Sequence, residues 1–250
     1  MSQPILILSA LEGELEAVHE SITDVAEVGI SGHNFWRGTI SGSDVVVASV
    51  GIGKVNAAMM ATLAIDHFAP GILLFTGVAG GLDPALMIGD IVIAESVVQH
   101  DTGVAGSDGF RPYQPGHLPF FNPTERLGYQ PSSALLERAR SAVAAIELGR
   151  VHGRTPVFVF GTVVTGDQFI ESEVDRMRIH EAFSAQAVEM EGAAVAQVAA
   201  HFGVDHLVIR AISDLAGPGS EIDFDRFLAE VTTNSIRVVR ALVASIGAAP

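Results

Sequence analysis

The sequence predicts an α/β fold: a single domain with a largely parallel, mixed β-sheet flanked by helices. Short apolar runs alternate along the whole chain with segments whose apolar residues recur at helical spacing, as in folds whose parallel strands are joined by helices. The chain has 250 residues, of which 48% are hydrophobic, and a domain of that size can bury a large core. We therefore expect one domain over residues 1–250.

The first elements follow in order from the start of the chain. Residues 4–10 are a short apolar run bounded by a proline and by acids, which predicts a buried strand, and residues 12–20 have helical spacing. A Ser-Gly-Ser turn separates 34–40 from 44–51, as in a β-hairpin. Residues 53–69 are rich in alanine, methionine and leucine, and the Pro-Gly pair after them predicts the end of a helix.

The middle of the chain continues this alternation. Residues 71–77 and 90–98 are continuous apolar runs, which predict two further buried strands. Residues 155–166 predict another strand, between amphipathic helices at 131–147 and 172–183. The order of strands and helices is the one expected of a sheet that is covered on both faces.

The last part of the chain predicts a strand at 185–190, a helix at 191–203, a strand at 206–213 and a closing helix at 223–247. One segment departs from the pattern: residues 100–131 form a long loop rich in proline, glycine and aromatic side chains. Such a loop in a compact domain is usually a lid, a binding loop or an interface element.

The composition argues against several kinds of partner. The formal net charge is −15, from 29 acids and 14 bases, and such a surface repels nucleic acids and anionic membranes. The chain has no cysteine, so disulfides and thiolate metal sites are not expected. The opening residues lack the basic region of a signal peptide, and the apolar runs are shorter than the roughly 18 residues of a membrane span. We expect a cytoplasmic protein.

Familiar ligand motifs are only partly matched. The segment GIGKVN contains Lys54, the only lysine of the chain, but it lacks the glycine spacing and the Ser/Thr of a P-loop. The segment GVAGG, residues 77–81, follows a strand without the spacing of a dinucleotide site. The histidines do not form an HExxH pair. We therefore expect neither a metal nor an organic cofactor.

Acidic residues follow several of the predicted strands. Glu12 and Glu14 follow the first strand, Asp167 the strand at 155–166, and Asp214 the last strand. Each has an ordinary explanation as a first-turn helix acid, an N-cap or a turn residue. Ligands of parallel sheets bind outside the carboxyl ends of the strands, so together these acids suggest acid–base chemistry on a neutral or cationic ligand.

Six segments, in the same order and over nearly the whole chain, resemble the nucleoside phosphorylase/nucleosidase superfamily. They are SALEGELEAV, SVGIGKVNAA, TGVAGGLDPALMIGDIVI, VTGDQFI, AVEMEGAAVAQVA and VIRAISDLAG. Within the superfamily they are most similar to the 5′-methylthioadenosine/S-adenosylhomocysteine nucleosidases. The resemblance implies a nucleoside phosphorylase-like fold, a small-molecule purine nucleoside as ligand and a homodimer. It also implies cleavage of the N-glycosidic bond through an oxocarbenium-like transition state.

The resemblance also implies roles for individual residues. Glu14 is expected to deprotonate the water that attacks C1′, and Asp214 to protonate N7 of the leaving purine. Glu191 is expected to bind the ribose 2′- and 3′-hydroxyls, with Met190 packed on the sugar. The remaining predicted contacts are Phe169 stacked on adenine, the Ile170 backbone at its edge, Ser213 and Arg210 orienting the acid and the water site, Phe224 closing over the site, and Ile52, Val78, Ala79 and Gly80.

The pair Glu189 and Glu191 poses a geometric problem, because residues at i and i+2 of a strand point to one side and Met190 points to the other. The resemblance requires Met190 and Glu191 both near the ribose. We therefore expect the backbone to turn into the helix at this point. Glu189 is then a supporting or a solvated acid.

The choice between water and phosphate as the attacking group depends on charge. Phosphorylases of the superfamily hold phosphate with arginines near the first strand, whereas no lysine or arginine precedes Arg37 here and Glu12 and Glu14 would repel the anion. We expect hydrolysis of a 5′-substituted adenine nucleoside. The alternatives are a phosphate-dependent purine nucleoside phosphorylase, a futalosine-type nucleosidase and a non-catalytic nucleoside-binding protein. Two departures from the nucleosidases are Val78, where a serine is usual, and Leu11, where a methionine is usual.

Overall fold

The structure is a computed structural model that describes residues 3–118, 120–121 and 124–247. The described residues form strands and helices with the following bounds. The strands are β1 Ile5–Ser9, β2 Thr23–Ile30, β3 His33–Ile40, β4 Ser43–Ser49, β5 Ile72–Gly81, β6 Ile91–Gln99, β7 Gly103–Gly106, β8 Gly109–Pro112, β9 Phe158–Thr165, β10 Ala185–Glu189 and β11 Asp205–Asp214. The helices are α1 Glu12–His19, α2 Lys54–Phe68, α3 Ser133–Val143, α4 Glu173–Phe183, α5 Gly192–Phe202 and α6 Ser220–Gly247.

Nine of the strands form one mixed sheet in the order β10-β9-β6-β11-β5-β1-β4-β3-β2. Because β10 also pairs with β5, the strands β5, β11, β6, β9 and β10 close into a ring. The pairs β1–β4, β1–β5, β5–β11, β6–β9 and β9–β10 are parallel, and the pairs β2–β3, β3–β4, β6–β11 and β5–β10 are antiparallel. The predicted α/β class with a mixed sheet flanked by helices is confirmed.

Most of the core lies in two apolar layers, one on each side of the sheet, and a third, smaller apolar cluster contains Ile170 and Val188. In β1 the side chains alternate between the two layers: Leu6 and Leu8 face the layer under α2 and α5, while Ile5 and Ile7 face the layer under α1, α3 and α6. Burial of such a side chain stabilises the fold by about 1.5–3 kcal/mol. A strand that is buried on both faces has no polar alternation, so its continuous apolar run could be recognised from the sequence.

Three features differ from the sequence predictions. The strand β2 was not predicted, because it lies at the sheet edge with mostly exposed side chains and has no apolar run. Residues 77–81, which were expected to follow a strand, instead continue strand β5 and pair with β11 and β10. The segment 100–131 contains a hairpin of β7 and β8 rather than loop alone.

The predicted helices all occur, with bounds that differ by a few residues. The largest difference is at α3, which covers Ser133–Val143 within the predicted 131–147. Its beginning is fixed by Ser132, whose side chain accepts a hydrogen bond from the Leu135 N–H. Among the described residues, no helix is both long enough and apolar enough to span a membrane. The cytoplasmic location and the extent of the domain stay predictions.

A buried carboxylate anchors the beginning of β6. Asp90 is fully buried and accepts hydrogen bonds from the N–H groups of Met87 and Val157, each at 2.9 Å. Arg154 Nη1 donates to the same carboxylate at 2.7 Å. The three donors satisfy the negative charge of Asp90. Because Arg154 and Val157 precede β9, these contacts join the chain before β6 to the chain before β9.

Asp90→Ala is expected to lower the free energy of unfolding by about 2–4 kcal/mol, because it leaves a guanidinium and two N–H groups without their acceptor. Urea denaturation followed by circular dichroism measures this loss. Asp44→Ala is the matched control, because Asp44 forms an ion pair with Arg37 on an exposed hairpin, and that loss should be below about 1 kcal/mol. Equal losses in the two variants would contradict the anchoring role.

Candidate active site

A cavity of about 220 Å³ lies where β1, β5, β10 and β11 end. The strand β10 crosses the end of β5 in antiparallel register, with Val188 opposite Gly80. Glu14 follows β1 and Asp214 ends β11, and both strands run parallel to β5, so these two acids meet at parallel strand ends as the sequence predicted. Glu191 joins them from β10, the strand that crosses the end of β5.

Eleven of the thirteen residues predicted for the site line this cavity. They are Glu14, Ile52, Val78, Ala79, Gly80, Phe169, Met190, Glu191, Ser213, Asp214 and Phe224. The remaining lining residues are Ala10, Leu11, Val188 and Glu189. Ile170 does not line it, since its side chain is buried in a separate apolar cluster, and the role predicted for Ile170 belongs to its backbone. Arg210 lies outside the lining as well.

Glu14 is held by donors from three segments of the chain. Its carboxylate accepts hydrogen bonds from Ser9 Oγ at 2.5 Å, from the Leu11 N–H at 2.9 Å and from the Val78 N–H at 2.8 Å. The side chain is buried, with the residue 3% exposed. The three hydrogen bonds hold the carboxylate in one orientation, as a group that takes a proton from a positioned molecule requires.

Asp214 lies at the end of β11 in a different environment. Burial raises the pKa of this carboxyl, and the hydrogen bonds from the Ala216 N–H at 2.8 Å and from Ser213 Oγ at 2.9 Å offset only part of that rise. A carboxyl with a raised pKa retains its proton more readily than an exposed one. Ser213 Oγ thus contacts the carboxyl that this residue was predicted to orient.

Glu191 is the N-cap residue of helix α5, and its carboxylate accepts a hydrogen bond from the Gly53 N–H at 2.8 Å. Burial, followed by repulsion from the nearby Glu189, raises the pKa of Glu191 to about 7. The strand β10 ends at Glu189, and Met190 lines the cavity together with Glu191. The expected turn of the backbone into the helix is therefore confirmed.

Glu189 forms a buried ion pair with Arg210, whose residue exposure is 0%. The Glu189 carboxylate also accepts hydrogen bonds from Thr165 Oγ1, from the Glu191 N–H at 3.2 Å and from the Gly192 N–H at 2.7 Å. Glu189 is thus a supporting acid at the beginning of α5, and the solvated alternative is wrong.

Arg210, which was predicted together with Ser213 to orient the acid and the water site, lies beneath the cavity and contacts Glu189 rather than Asp214. Its Nη2 contacts Glu189 and lies 3.8 Å from a Glu191 oxygen, and its guanidinium stacks 4.3 Å from the centre of the Phe75 ring. Within the described part of the chain, Nε and Nη1 of Arg210 have no hydrogen-bond partner. The ion pair with Glu189 accounts for this placement, because a buried guanidinium needs a charged partner.

Gly77 lets Arg210 and Glu14 approach each other across β5. A Cβ atom at this position would lie 2.4 Å from Arg210 Nη1 and 2.7 Å from Glu14 Oε1. Real Cβ atoms do not come so close to other atoms, so any larger residue would push the two side chains apart. The carboxylate of Glu14 thus lies close to the guanidinium of Arg210.

The outer walls of the cavity are apolar. Phe169 and Ile52 are about half exposed, at 51% and 54%, and Phe224 of α6 lines the cavity too. In the part of the chain that the structure describes, no three His, Asp or Glu side chains come together as a metal-binding group. Between these apolar walls the cavity holds the carboxylate of Glu14 and the carboxyl of Asp214, which can retain a proton. It also holds Glu191, whose carboxylate can accept hydrogen bonds from hydroxyl groups of a ligand.

Sequence reasoning missed the residues that hold the carboxylates. Ser9 binds Glu14, Gly53 binds Glu191 and Thr165 binds Glu189. Ser9 and Thr165 are the final residues of two largely apolar strands, and that position was an available signal. The contact of Gly53 with Glu191 joins residues 138 positions apart, and the sequence contains no signal for it.

Comparisons with known proteins find similarity over nearly the whole chain. Residues 4–244 match the phosphorylase superfamily. A 5′-methylthioadenosine/S-adenosylhomocysteine nucleosidase of Mycobacterium bovis is 44% identical over 249 residues, which cover 97% of this chain and 98% of that protein.

Two solved structures have similar folds. One is the same kind of nucleosidase from Neisseria meningitidis in complex with methylthio-immucillin-A. It has a TM-score of 0.84 and 32% identity, and the match covers 97% of this chain and 99% of that chain. The other is the futalosine hydrolase of Helicobacter pylori, with a TM-score of 0.84, 31% identity, and coverage of 97% and 98%.

The raised pKa of Glu191 predicts a pH dependence of stability. The folded state keeps this proton up to about pH 7, whereas the pKa of an ordinary glutamate is 4.5. Between these values the folded state binds more protons than the unfolded state, so the contribution of Glu191 to stability falls as the pH rises. Glu191→Gln should therefore gain stability relative to the wild type between about pH 5 and pH 8, by on the order of a few kcal/mol.

Urea denaturation of both proteins at several pH values measures this difference. Glu181→Gln, at an exposed position of α4, is the matched control and should follow the wild-type curve. A difference between Glu191→Gln and the wild type that stays constant with pH would refute the raised pKa.

Proposed function

This chain belongs to the phosphorylase superfamily and, within it, to the 5′-methylthioadenosine/S-adenosylhomocysteine nucleosidases, and we propose that it hydrolyses the N-glycosidic bond of a 5′-substituted adenine nucleoside. The products are adenine and the 5′-substituted ribose. The observation that supports this most directly is one cavity lined by a multiply hydrogen-bonded carboxylate, Glu14, and by a carboxyl with a raised pKa, Asp214. Two carboxyl groups in different environments are the usual solution for acid and base roles at one site.

Glu14 is the general base of this proposal. Its three donors hold the carboxylate in one orientation, and it takes a proton from the water that attacks C1′. The positive charge that develops on the ribose in the transition state is stabilised by the nearby carboxylates. Arg210, whose Nη1 faces the same space across Gly77, helps to orient the water.

Asp214 is the general acid. Because its pKa is raised, it retains a proton to donate to N7 of the purine, and adenine then leaves as a neutral base. Ser213 holds the carboxyl in place through its hydroxyl. Without this proton the leaving group would be an anion of the purine, which leaves less readily.

Glu191 binds the ribose. When ionised, its carboxylate accepts hydrogen bonds from the 2′- and 3′-hydroxyls, and such charge-assisted bonds are stronger than neutral ones. Met190 packs on the sugar next to it. Phe169 stacks on adenine, the Ile170 backbone reads its edge and Phe224 closes over the site. The remaining contacts come from Ile52, Val78, Ala79 and Gly80.

Two observations favour water over phosphate as the attacking group. No cation lines the cavity among the described residues, whereas Glu14, Glu189 and Glu191 do. Arg210 is already paired with Glu189 beneath them. A dianion would meet repulsion at this place.

A release assay tests the reaction and its catalytic groups together. We expect adenine release from 5′-methylthioadenosine without added phosphate. Glu14→Gln and Asp214→Asn should each lower kcat by about 10²–10⁴, the usual contribution of a general acid or base. Glu181→Gln is the control and should retain wild-type activity.

The substrate panel consists of 5′-methylthioadenosine, S-adenosylhomocysteine, inosine and aminofutalosine, each with and without phosphate. A requirement for phosphate together with a ribose-1-phosphate product would identify a phosphorylase instead. Preferred release of hypoxanthine would exclude adenine specificity, and preference for aminofutalosine would identify a futalosine-type enzyme. Nucleoside binding with no release would identify a non-catalytic binding protein.

We also propose that the protein is a homodimer whose interface includes the outer face of α2. Val55 and Met59 lie one helical turn apart on this face and are 80% and 47% exposed. Phe120 and Phe121 are 82% and 84% exposed, and the two rings add apolar surface outside the core. An exposed apolar helix face of this kind favours a protein partner.

Sedimentation equilibrium should give twice the mass of the chain. Val55→Glu/Met59→Glu places two charges on the outer face of α2 and should yield a monomer with unchanged circular dichroism. Val174→Glu, at an exposed position of α4, is the matched control and should stay dimeric. A wild-type monomer at micromolar concentration would be incompatible with the proposed dimer.

A further inference from the structure

Lys54, the only lysine of the chain, is buried more deeply than most lysines. It is the first residue of α2, its side chain is 18% exposed, and Nζ lies 2.6 Å from Asp101 Oδ1 and 3.8 Å from Asp167 Oδ2. The segment that contains it did not match a P-loop, and the reaction proposed above does not use it. Its contacts therefore call for another explanation.

Three segments of the chain meet at Lys54. The Lys54 N–H donates to Asp167 Oδ1 at 2.9 Å, and the Asp167 N–H donates to Asp101 Oδ2 at 3.1 Å. Together with the ion pair between Lys54 and Asp101, these bonds form a closed cycle, which we call the Lys54 cluster. It joins the beginning of α2 to the chain after β6 and to the chain after β9.

The Lys54 cluster adjoins two walls of the active-site cavity. On one side, the neighbouring Gly53 donates its N–H to Glu191, and Ile52 lines the cavity. On the other side, Asp167 lies two residues before Phe169, which also lines the cavity. Gly53 has φ +92°, and a Cβ atom there would lie 3.2 Å from Asp167 Oδ1, so the two segments are in close contact.

The charge balance of the cluster depends on the lysine. Burial tends to raise the pKa of Asp101, but the hydrogen bonds from Lys54 and from the Asp167 N–H, together with the charge of Lys54, lower it overall. Asp101 is therefore ionised close to the carboxylate of Asp167. Without the cation, the two like charges would repel each other and separate the segments that they hold.

We propose that Lys54 is a positioning residue for substrate binding: through the Lys54 cluster it fixes the Gly53 N–H against Glu191 and the loop that bears Phe169. This inference rests on the proposed function, since it assigns the ribose to Glu191 and the base to Phe169. Lys54 does not touch the substrate. It acts on affinity for the nucleoside and much less on the chemical step, because Glu14 and Asp214 are held by other donors.

The test compares steady-state kinetics of four variants with 5′-methylthioadenosine. Lys54→Met should raise KM about tenfold, the effect of losing a hydrogen bond between charged groups, and change kcat less than about threefold. Lys54→Arg should restore most of the affinity. Lys54→Met/Asp101→Asn should have a lower KM than Lys54→Met, because the second substitution removes the repulsion. Arg37→Met, which breaks an exposed ion pair remote from the cavity, is the control and should match the wild type.

Calorimetric binding of the nucleoside to Glu14→Gln, with and without Lys54→Met, separates this inference from the proposed reaction. Weaker binding by Glu14→Gln/Lys54→Met than by Glu14→Gln alone supports the role of Lys54, even if the wild type proves inactive as a hydrolase. An unchanged KM and dissociation constant would overturn the role while leaving the hydrolase intact. A loss of thermal stability in Lys54→Met without a change in KM would overturn it as well. Absence of nucleoside binding in every protein would overturn both proposals.

Discussion

The buried ion pair of Arg210 and Glu189 is the interaction on which the candidate site depends. Removal of two charges from water costs several kcal/mol per ion, and only close pairing with further hydrogen bonds offsets that cost. Glu189 meets this requirement with donors from Thr165 and from the beginning of α5. The pair therefore fixes β10, β11 and α5 relative to one another, and the position of Glu191 follows from it.

The electrostatics of the cavity follow from the same pair. One guanidinium lies among several carboxylates, and its charge is largely neutralised by Glu189. Burial, followed by repulsion from Glu189, raises the pKa of Glu191, and the remaining attraction of Arg210 offsets only part of that rise. Glu14 is turned toward backbone and hydroxyl donors instead. Carboxyl groups of similar chemistry thus lie in different surroundings within one small volume.

The sequence predicted what local pattern determines. Continuous apolar runs identified the buried strands. The acids placed after them included Glu14 and Asp214, which line the cavity, and also Glu12 and Asp167, which do not, and only the family resemblance singled out the first two. The position of Arg210 could not be predicted, because its partner Glu189 comes from another strand and only the tertiary fold brings them together. The same holds for the Lys54 cluster, whose members are 47, 66 and 113 positions apart. The strand β2 was missed for the opposite reason: an edge strand buries little, so no apolar pattern is required of it.

The closure of β10 onto β5 has a consequence for the behaviour of the protein in concentrated solution. A ring has no free strand at its closed side, so the nine-stranded sheet is left with one open edge, β2. Open edges invite strand pairing between molecules, and natural proteins oppose this with charges and irregular backbone. β2 has both, since it carries Asp24 and Glu27 and its register with β3 is interrupted between Thr23 and Ala26. The edge that topology leaves open is thus protected against aggregation.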